Sequence, residues 1–131
     1  MKYFINLLLF LIFTSIVFIA CDDTLPTEIP IPEKDVSYAK HIQPIFNNHC
    51  NNSGCHNSED NAGGVSLTSY GDLFATPFLI IKYSPNESHL YLAVSGQSIS
   101  LMPPPYGNAF PLSDNQINGI KTWIEEGAEA N

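Results

Sequence analysis

The chain has 131 residues, with 13 acidic residues against five lysines, no arginine and a formal net charge of −8. This balance argues against a nucleic-acid-binding protein, because phosphates require a basic surface. It equally disfavours docking on anionic lipid headgroups. An acidic surface is compatible with a basic partner, although solubility alone explains it as well.

The N-terminal residues predict the cellular compartment. Lys2 is followed by an apolar run over residues 3–20, which ends in the sequence FIAC. A small residue directly before a cysteine, at the end of such a run, is typical of a bacterial lipoprotein signal. We therefore predict a signal peptide over residues 1–20 and a lipidated N-terminus at Cys21. The alternative is an uncleaved anchor helix, and both place the rest of the chain outside the cytoplasm on a membrane tether.

The lipidated N-terminus and a proline-rich tether are expected over residues 21–35. This region contains three prolines and six charged residues and has no apolar period. One domain is expected over residues 36–131, without internal repeats. Hydrophobic burial alone stabilises so small a domain only marginally, and a covalent cofactor would relieve that shortage.

The first and last helices have clear sequence signals. In SYAKHIQPIFNNH, Ser37 is the expected N-cap, and Pro44 should kink the helix or delay its regular part. The last helix begins at SDNQ, residues 113–116, which has the form of a capping box. Its apolar stripe, which Gly127 ends, consists of Ile117, Ile120, Trp123 and Ile124.

The middle of the chain predicts shorter elements. A helix is expected from about Asn86, with Leu90 and Val94 facing inward, and TSYGDLFA predicts one or two helical turns. FLIIKY, residues 78–83, is the only strand-like run and is equally compatible with buried irregular chain. The predicted fold is mainly α.

The stretch HCNNSGCH, residues 49–56, carries the chemistry. A c-type haem requires two thiols that form thioethers and a histidine directly after the second cysteine, and Cys55–His56 meets the second condition. Two residues usually separate the cysteines, whereas four separate Cys50 from Cys55 here. The additional residues must bulge away from the porphyrin, which a polar insert containing glycine can do.

Other interpretations of this stretch remain open. A zinc ion could take its thiolate and imidazole ligands from His49, Cys50, Cys55 and His56, although adjacent ligands make a cramped tetrahedron. A disulfide between Cys50 and Cys55 is also compatible with an exported protein. A redox-active disulfide would need a tighter spacing and a helix start after the first cysteine.

The distal half of the chain favours haem. Apart from Met1, the only methionine is Met102, in SLMPPPYG. The three prolines that follow it hold the backbone extended. Methionine is a common sixth ligand of haem iron in electron-transfer cytochromes. Neither zinc nor a disulfide explains a lone methionine on such a loop.

An ordered series of segments carries a family resemblance: HIQPIFNNHCNNSGCH, GGVSLTSYGDLF, SPNESHLYLAV, LMPPPYG and LSDNQINGIKTWIEEGA. Over roughly residues 36–128 they resemble the small monohaem cytochrome c domains of exported proteins of Bacteroidetes and Planctomycetes, lipoproteins among them. The resemblance implies a mainly α fold whose N- and C-terminal helices cross beside a covalently bound haem. Phe46 and Trp123 would belong to the core of that crossing.

The same resemblance implies one haem c per chain, attached through Cys50 and Cys55. His56 would be the proximal iron ligand and Met102 the distal one, with His89 as the alternative sixth ligand. Many cytochromes c have a proline soon after the motif whose carbonyl orients the proximal histidine. Here the first proline after His56 is Pro77, so the sequence does not show what orients that ring.

The expected function is outer-sphere electron transfer by a membrane-anchored c-type cytochrome of the bacterial cell envelope. Its partners would be the membrane and one or more envelope redox proteins. No catalytic constellation is present in the sequence, so an enzyme is not expected. The alternative is a non-redox envelope lipoprotein module, stabilised by a Cys50–Cys55 disulfide or a zinc ion.

Overall fold

The structure is a computed structural model that describes residues 30–106 and 110–131. The predicted signal peptide over residues 1–20 and the predicted lipidation site at Cys21 lie outside these residues. Within the two described ranges, no helix is long and apolar enough to cross a membrane.

The described part of the chain is helical and contains no β-strand, which confirms the predicted mainly α fold. A π-helical segment, Tyr38–Ile42, runs directly into the first α-helix, and single 3-10 turns occur at Ala62–Gly64 and Pro85–Glu87. FLIIKY forms irregular chain, in which Leu79 and Ile80 are buried. The α-helices are α1 (Gln43–His49), α2 (Tyr70–Ala75), α3 (His89–Val94) and α4 (Asp114–Glu125).

Pro44 explains the irregular start of the first helix. The side chain of Ser37 accepts a hydrogen bond from the Lys40 N–H, as an N-cap residue does. The Gln43 N–H then donates to the Tyr38 carbonyl, five residues back, which is the spacing of a π-helix. Proline cannot donate in the helix interior, but it is tolerated in the first turn of α1. The regular helix therefore begins only at Gln43.

Helix α4 starts with the predicted capping box. The Ser113 hydroxyl accepts from the Gln116 N–H, and the Gln116 side chain accepts from the Ser113 N–H. Ile120, Trp123 and Ile124 are fully buried, which confirms most of the predicted stripe. A well-capped helix with one apolar face needs only a partner surface to be stable.

The core lies between the first helical segment and α4. The rings of Tyr38 and Trp123 are 5.5 Å apart, and Tyr70 from α2 meets Tyr38 edge-on at 5.2 Å. The Trp123 indole N–H donates to the Glu129 carbonyl, so its one polar atom is satisfied. Other buried members of the core are Val36, Ile42, Ile45, Phe46, Leu67, Leu73, Leu90, Val94, Ile120 and Ile124.

The segment before residue 36 is also packed on α4. Ile31 is buried, its N–H donates to the Asn115 side-chain oxygen, and its carbonyl accepts from the Asn115 side-chain nitrogen, both at 3.3 Å. The Glu126 carboxylate accepts from the N–H groups of Asp35 and Val36. The last residues of the predicted tether are therefore docked on the domain.

Gly127 ends α4, and its replacement by alanine is expected to destabilise the domain by about 1–3 kcal/mol. Its φ of +102° is rarely adopted by residues with a side chain, and an added Cβ would lie 2.8 Å from the Tyr83 ring. Gly71→Ala is the matched control, because its Cβ would meet only the Ser69 hydroxyl at 3.9 Å. Urea denaturation of both variants measures the difference, and equal unfolding midpoints would contradict the prediction.

Candidate functional site

The end of α1 presents the first cysteine of the motif. Cys50 is the C-cap residue, and its N–H donates to the Phe46 carbonyl. The His56 N–H donates to the Cys50 carbonyl at 2.9 Å, and the Cys55 N–H donates to the Asn52 carbonyl at 3.0 Å. The chain therefore leaves α1, makes a tight loop and returns to Cys50. This closure places the main chain of Cys55 and His56 next to that of Cys50.

The four residues between the cysteines form the loop. Asn52, Ser53 and Gly54 are exposed, and Gly54 has a φ of +79°. The insert therefore bulges into solvent, as expected from its composition. Asn51 instead points inward, where its amide nitrogen donates to the Leu67 carbonyl and its buried oxygen has no hydrogen-bond partner.

A main-chain carbonyl orients the His56 ring. His56 Nδ1 lies 3.2 Å from the Val65 carbonyl oxygen, which can only accept, so this nitrogen carries the proton. In the neutral ring with this tautomer, the other nitrogen, Nε2, carries the free lone pair that an iron ligand requires. Sequence reasoning looked for a proline at this point and missed Val65.

Two glycines in the sequence partly indicate that the chain turns here and brings the Val65 carbonyl to His56. Gly63 and Gly64 both have positive φ and turn the chain just before Val65. The returning chain is fixed by hydrogen bonds from the Ala62 N–H to the Cys55 carbonyl and from the Leu67 N–H to the His56 carbonyl. A GG pair eight and nine residues after the second cysteine therefore marks the turn that brings the Val65 carbonyl back to the histidine.

Both motif cysteines are free thiols in the structure. Burial, with a smaller contribution from Cys55, raises the pKa of the Cys50 thiol to about 12. Cys50 is therefore protonated at neutral pH, and only its deprotonated form is strongly nucleophilic.

Alkylation of the haem-free chain tests the raised pKa of the Cys50 thiol. At pH 8 we expect Cys50 to react with iodoacetamide more than tenfold more slowly than an ordinary thiol of pKa about 8.5. Its rate should rise as the pH approaches 12, because the raised pKa delays thiolate formation. Peptide mapping of Cys50 and Cys55 over time gives both rates, with the denatured chain as the control. A Cys50 rate at pH 8 equal to that in the denatured chain would contradict the prediction.

His49 bonds to residues outside the motif. The capping box holds the Gln116 side chain so that its amide nitrogen lies 3.2 Å from His49 Nε2. On the other side of the ring, His49 Nδ1 lies 3.2 Å from the Phe110 carbonyl oxygen. Within residues 30–106 and 110–131, no group of three or more His, Cys, Asp or Glu side chains could hold a metal ion. The zinc site considered for His49, Cys50, Cys55 and His56 is therefore not formed.

Met102 lies on a loop anchored to α3. Its N–H donates to the Ala93 carbonyl at 3.0 Å, and its peptide bond to Pro103 is cis. The Met102 side chain is half-buried, whereas nearby Ile99, Leu101, Tyr106 and Phe110 are exposed. The hydrogen bond to Ala93 holds the loop to α3 at Met102.

The two remaining histidines have structural partners. His41 Nδ1 accepts from the Ser37 N–H at 3.0 Å within the first helical segment. His89 is exposed at the start of α3, and its ring lies 6.2 Å from the Phe78 ring. Neither is drawn into the cysteine motif.

These residues fit a covalently attached haem. The motif supplies two free thiols and an imidazole whose Nδ1 is already paired to a carbonyl. The loop of Met102 supplies a thioether. Cys50, Cys55, His56 and Met102 are the residues that would hold the group.

Comparison with known families supports this chemistry. Residues 53–106 match a family model described as Planctomycete cytochrome C. The matched range contains Cys55, His56 and Met102 and begins after Cys50, so the first cysteine lies outside it. Comparisons with curated proteins and with solved structures find no match.

The family carries covalently bound haem c, is typically extracytoplasmic and suggests an electron carrier rather than an enzyme. The helical fold agrees with such a domain. From the fold, the motif geometry and the match over residues 53–106 together, the chain contains a small cytochrome c-like domain, which is similar to the Planctomycete cytochrome C family.

Proposed function

We propose that this protein is a membrane-tethered monohaem cytochrome c that transfers electrons to or from an envelope redox protein. Cys50 and Cys55 form the thioethers, His56 is the proximal iron ligand and Met102 is the distal ligand. A lipid on Cys21 provides the tether. The observation that carries the proposal is the Val65 carbonyl on His56 Nδ1, next to two free thiols.

The haem supplies an iron that cycles between the ferrous and ferric states. The residues that hold the iron determine how readily it gains or loses an electron. The Val65 carbonyl keeps the proton of His56 on Nδ1, and so increases the electron donation of Nε2 to the metal. A thioether from Met102 is a weak donor and favours the ferrous state relative to a second histidine.

With His56 and Met102 both holding the iron, no position would remain for a substrate, so the haem would exchange electrons with a partner rather than act on a bound molecule. The described residues provide a suitable surface. From Gln97 to Ser113 the sequence has no charged side chain, and Ile99, Tyr106 and Phe110 are largely exposed. A partner can approach such a loop closely without desolvating charge.

The test is to express the full chain in a host that attaches haem c and to record its mass and visible spectrum. We expect one haem per chain that remains attached after denaturation, and a low-spin spectrum on reduction. A colourless product with Cys50 and Cys55 oxidised or bound to zinc would overturn the proposal. Such a product would support the non-redox lipoprotein module.

A further inference from the structure

We infer that Asn57 and Asp60 form a positioning pair. Their hydrogen bonds hold the four-residue insert outward and so fix where Cys55 and His56 lie relative to Cys50. The inference rests on the proposed function, because it concerns how this chain presents its two thiols to a haem. Neither residue belongs to the motif, and neither would touch the iron.

Asn57 uses all of its hydrogen-bonding capacity around the insert. Its amide nitrogen donates to the Asn52 carbonyl at 3.0 Å and to the Asp60 carboxylate at 2.7 Å. Its amide oxygen accepts from the N–H groups of Glu59 and Asp60, both at 2.8 Å. The residue directly after His56 is thereby tied both to the insert and to the turn that follows.

Asp60 completes the ring of contacts from the other side. The carboxylate oxygen that accepts from Asn57 also accepts from the Gly54 N–H at 2.7 Å. The hydrogen bond from Asn57, followed by that from Gly54, holds the pKa of Asp60 below its usual range. Asp60 is therefore charged at neutral pH, and both bonds are of the stronger, charge-assisted kind.

The insert needs this support because of its length and composition. Four polar residues with a glycine have many accessible conformations, and fixing them costs entropy for each residue. Two main-chain bonds close the loop, from the Cys55 N–H to the Asn52 carbonyl and from the His56 N–H to the Cys50 carbonyl, and neither involves a polar group of Ser53 or Gly54. Asn57 and Asp60 hold Asn52 and Gly54, and so fix both sides of the bulge.

The relative position of Cys50 and Cys55 matters because both thiols must reach the same porphyrin. Each thioether forms when an S–H adds across a vinyl C=C bond, with sulfur bonding to the inner carbon and hydrogen going to the terminal carbon. The addition needs no oxidant or reductant. Once one thiol has reacted, the position of the other determines whether the second addition follows.

The experiment uses the full chain, expressed in a host that attaches haem c, with Asn57→Ala and Asp60→Ala as variants. Glu59→Ala is the matched control, because it removes a neighbouring exposed acid whose carboxylate is not part of the ring. After denaturation, free thiols are alkylated and the Cys50 and Cys55 peptides are mapped by mass. Chains with one thioether carry a haem and one alkyl group, and their remaining conjugated vinyl shifts the reduced spectrum to longer wavelength.

We expect the ratio of doubly to singly linked chains to fall about fivefold or more in both alanine variants, and to be unchanged in Glu59→Ala. Equal ratios in all four proteins would overturn the inference and leave the proposed function intact. A parent chain without haem would instead overturn the proposed function.

Exchanging the amide and the carboxylate between positions 57 and 60 keeps the test decisive if the alanine variants do not accumulate. Asn57→Asp places two carboxylates in contact and removes the donor to Asn52, so we expect a low ratio. Adding Asp60→Asn to this variant restores an amide-to-carboxylate hydrogen bond and should recover part of the ratio. An absence of recovery would contradict a positioning role for the pair.

Discussion

The Met102→Ala variant is expected to keep its covalently attached haem and to bind carbon monoxide and imidazole much more tightly than the parent. Under the proposed function, attachment depends on Cys50 and Cys55, which the change does not touch, whereas the sixth iron position would lose its ligand. If Met102 occupies that position in about 99% of the parent molecules, the apparent affinity for an added ligand rises roughly hundredfold. Titration of the ferrous protein with carbon monoxide, followed by its visible spectrum, measures the change.

Leu101→Ala is the control for this experiment. Leu101 precedes Met102 on the same loop and is partly exposed, but it offers no iron ligand. Its loss should leave carbon monoxide binding at the parent level. Identical binding by Met102→Ala and the parent would exclude Met102 as the distal ligand, and His89→Ala would then be the variant to test.

The Trp123→Ala variant is expected to lose about 3–5 kcal/mol of unfolding free energy. Trp123 is only 1% exposed and is the largest fully buried side chain in the described residues. The truncation removes its packing against Tyr38 and leaves the Glu129 carbonyl without its indole partner. Domains of this size have only about 5–15 kcal/mol in total, so much of the stability would be lost.

Guanidinium denaturation of the haem-loaded proteins, followed by far-UV circular dichroism, gives these free energies. Tyr106→Ala is the control, because Tyr106 is 77% exposed and should change the free energy of unfolding by less than about 0.5 kcal/mol. If Trp123→Ala does not accumulate, Trp123→Phe should show a smaller loss in the same direction. Equal midpoints for the tryptophan variants and the parent would show that α4 does not depend on this side chain.

Local signals explain why α4 could be predicted from the sequence. Its start depends on Ser113 and Gln116, three residues apart, and its end on Gly127. Its buried face follows the helical period of Ile120, Trp123 and Ile124. Each of these features involves residues within one or two helical turns, so the pattern in the chain is sufficient.

The contacts around the motif could not be predicted, because they join residues without a periodic relation. The His49 ring is fixed by Phe110 and by the capping residue of a helix 67 positions away. Whether FLIIKY forms a strand depends on a partner strand, which the described residues do not supply. The motif predicts the candidate ligands, whereas the residues that hold these ligands in place come together only through tertiary packing.

The Val65 contact has a consequence for genetics. The acceptor is a main-chain carbonyl, which all twenty amino acids carry, so codon changes at position 65 do not remove the oxygen that His56 uses. A mutational scan read out on electron transfer would therefore record position 65 only through the packing of its side chain. The flanking glycines would carry the visible phenotype, because changing Gly63 or Gly64 rotates the backbone that aims the carbonyl. An ester substitution for the 65–66 peptide bond, introduced by chemical synthesis, would weaken that acceptor without altering a side chain.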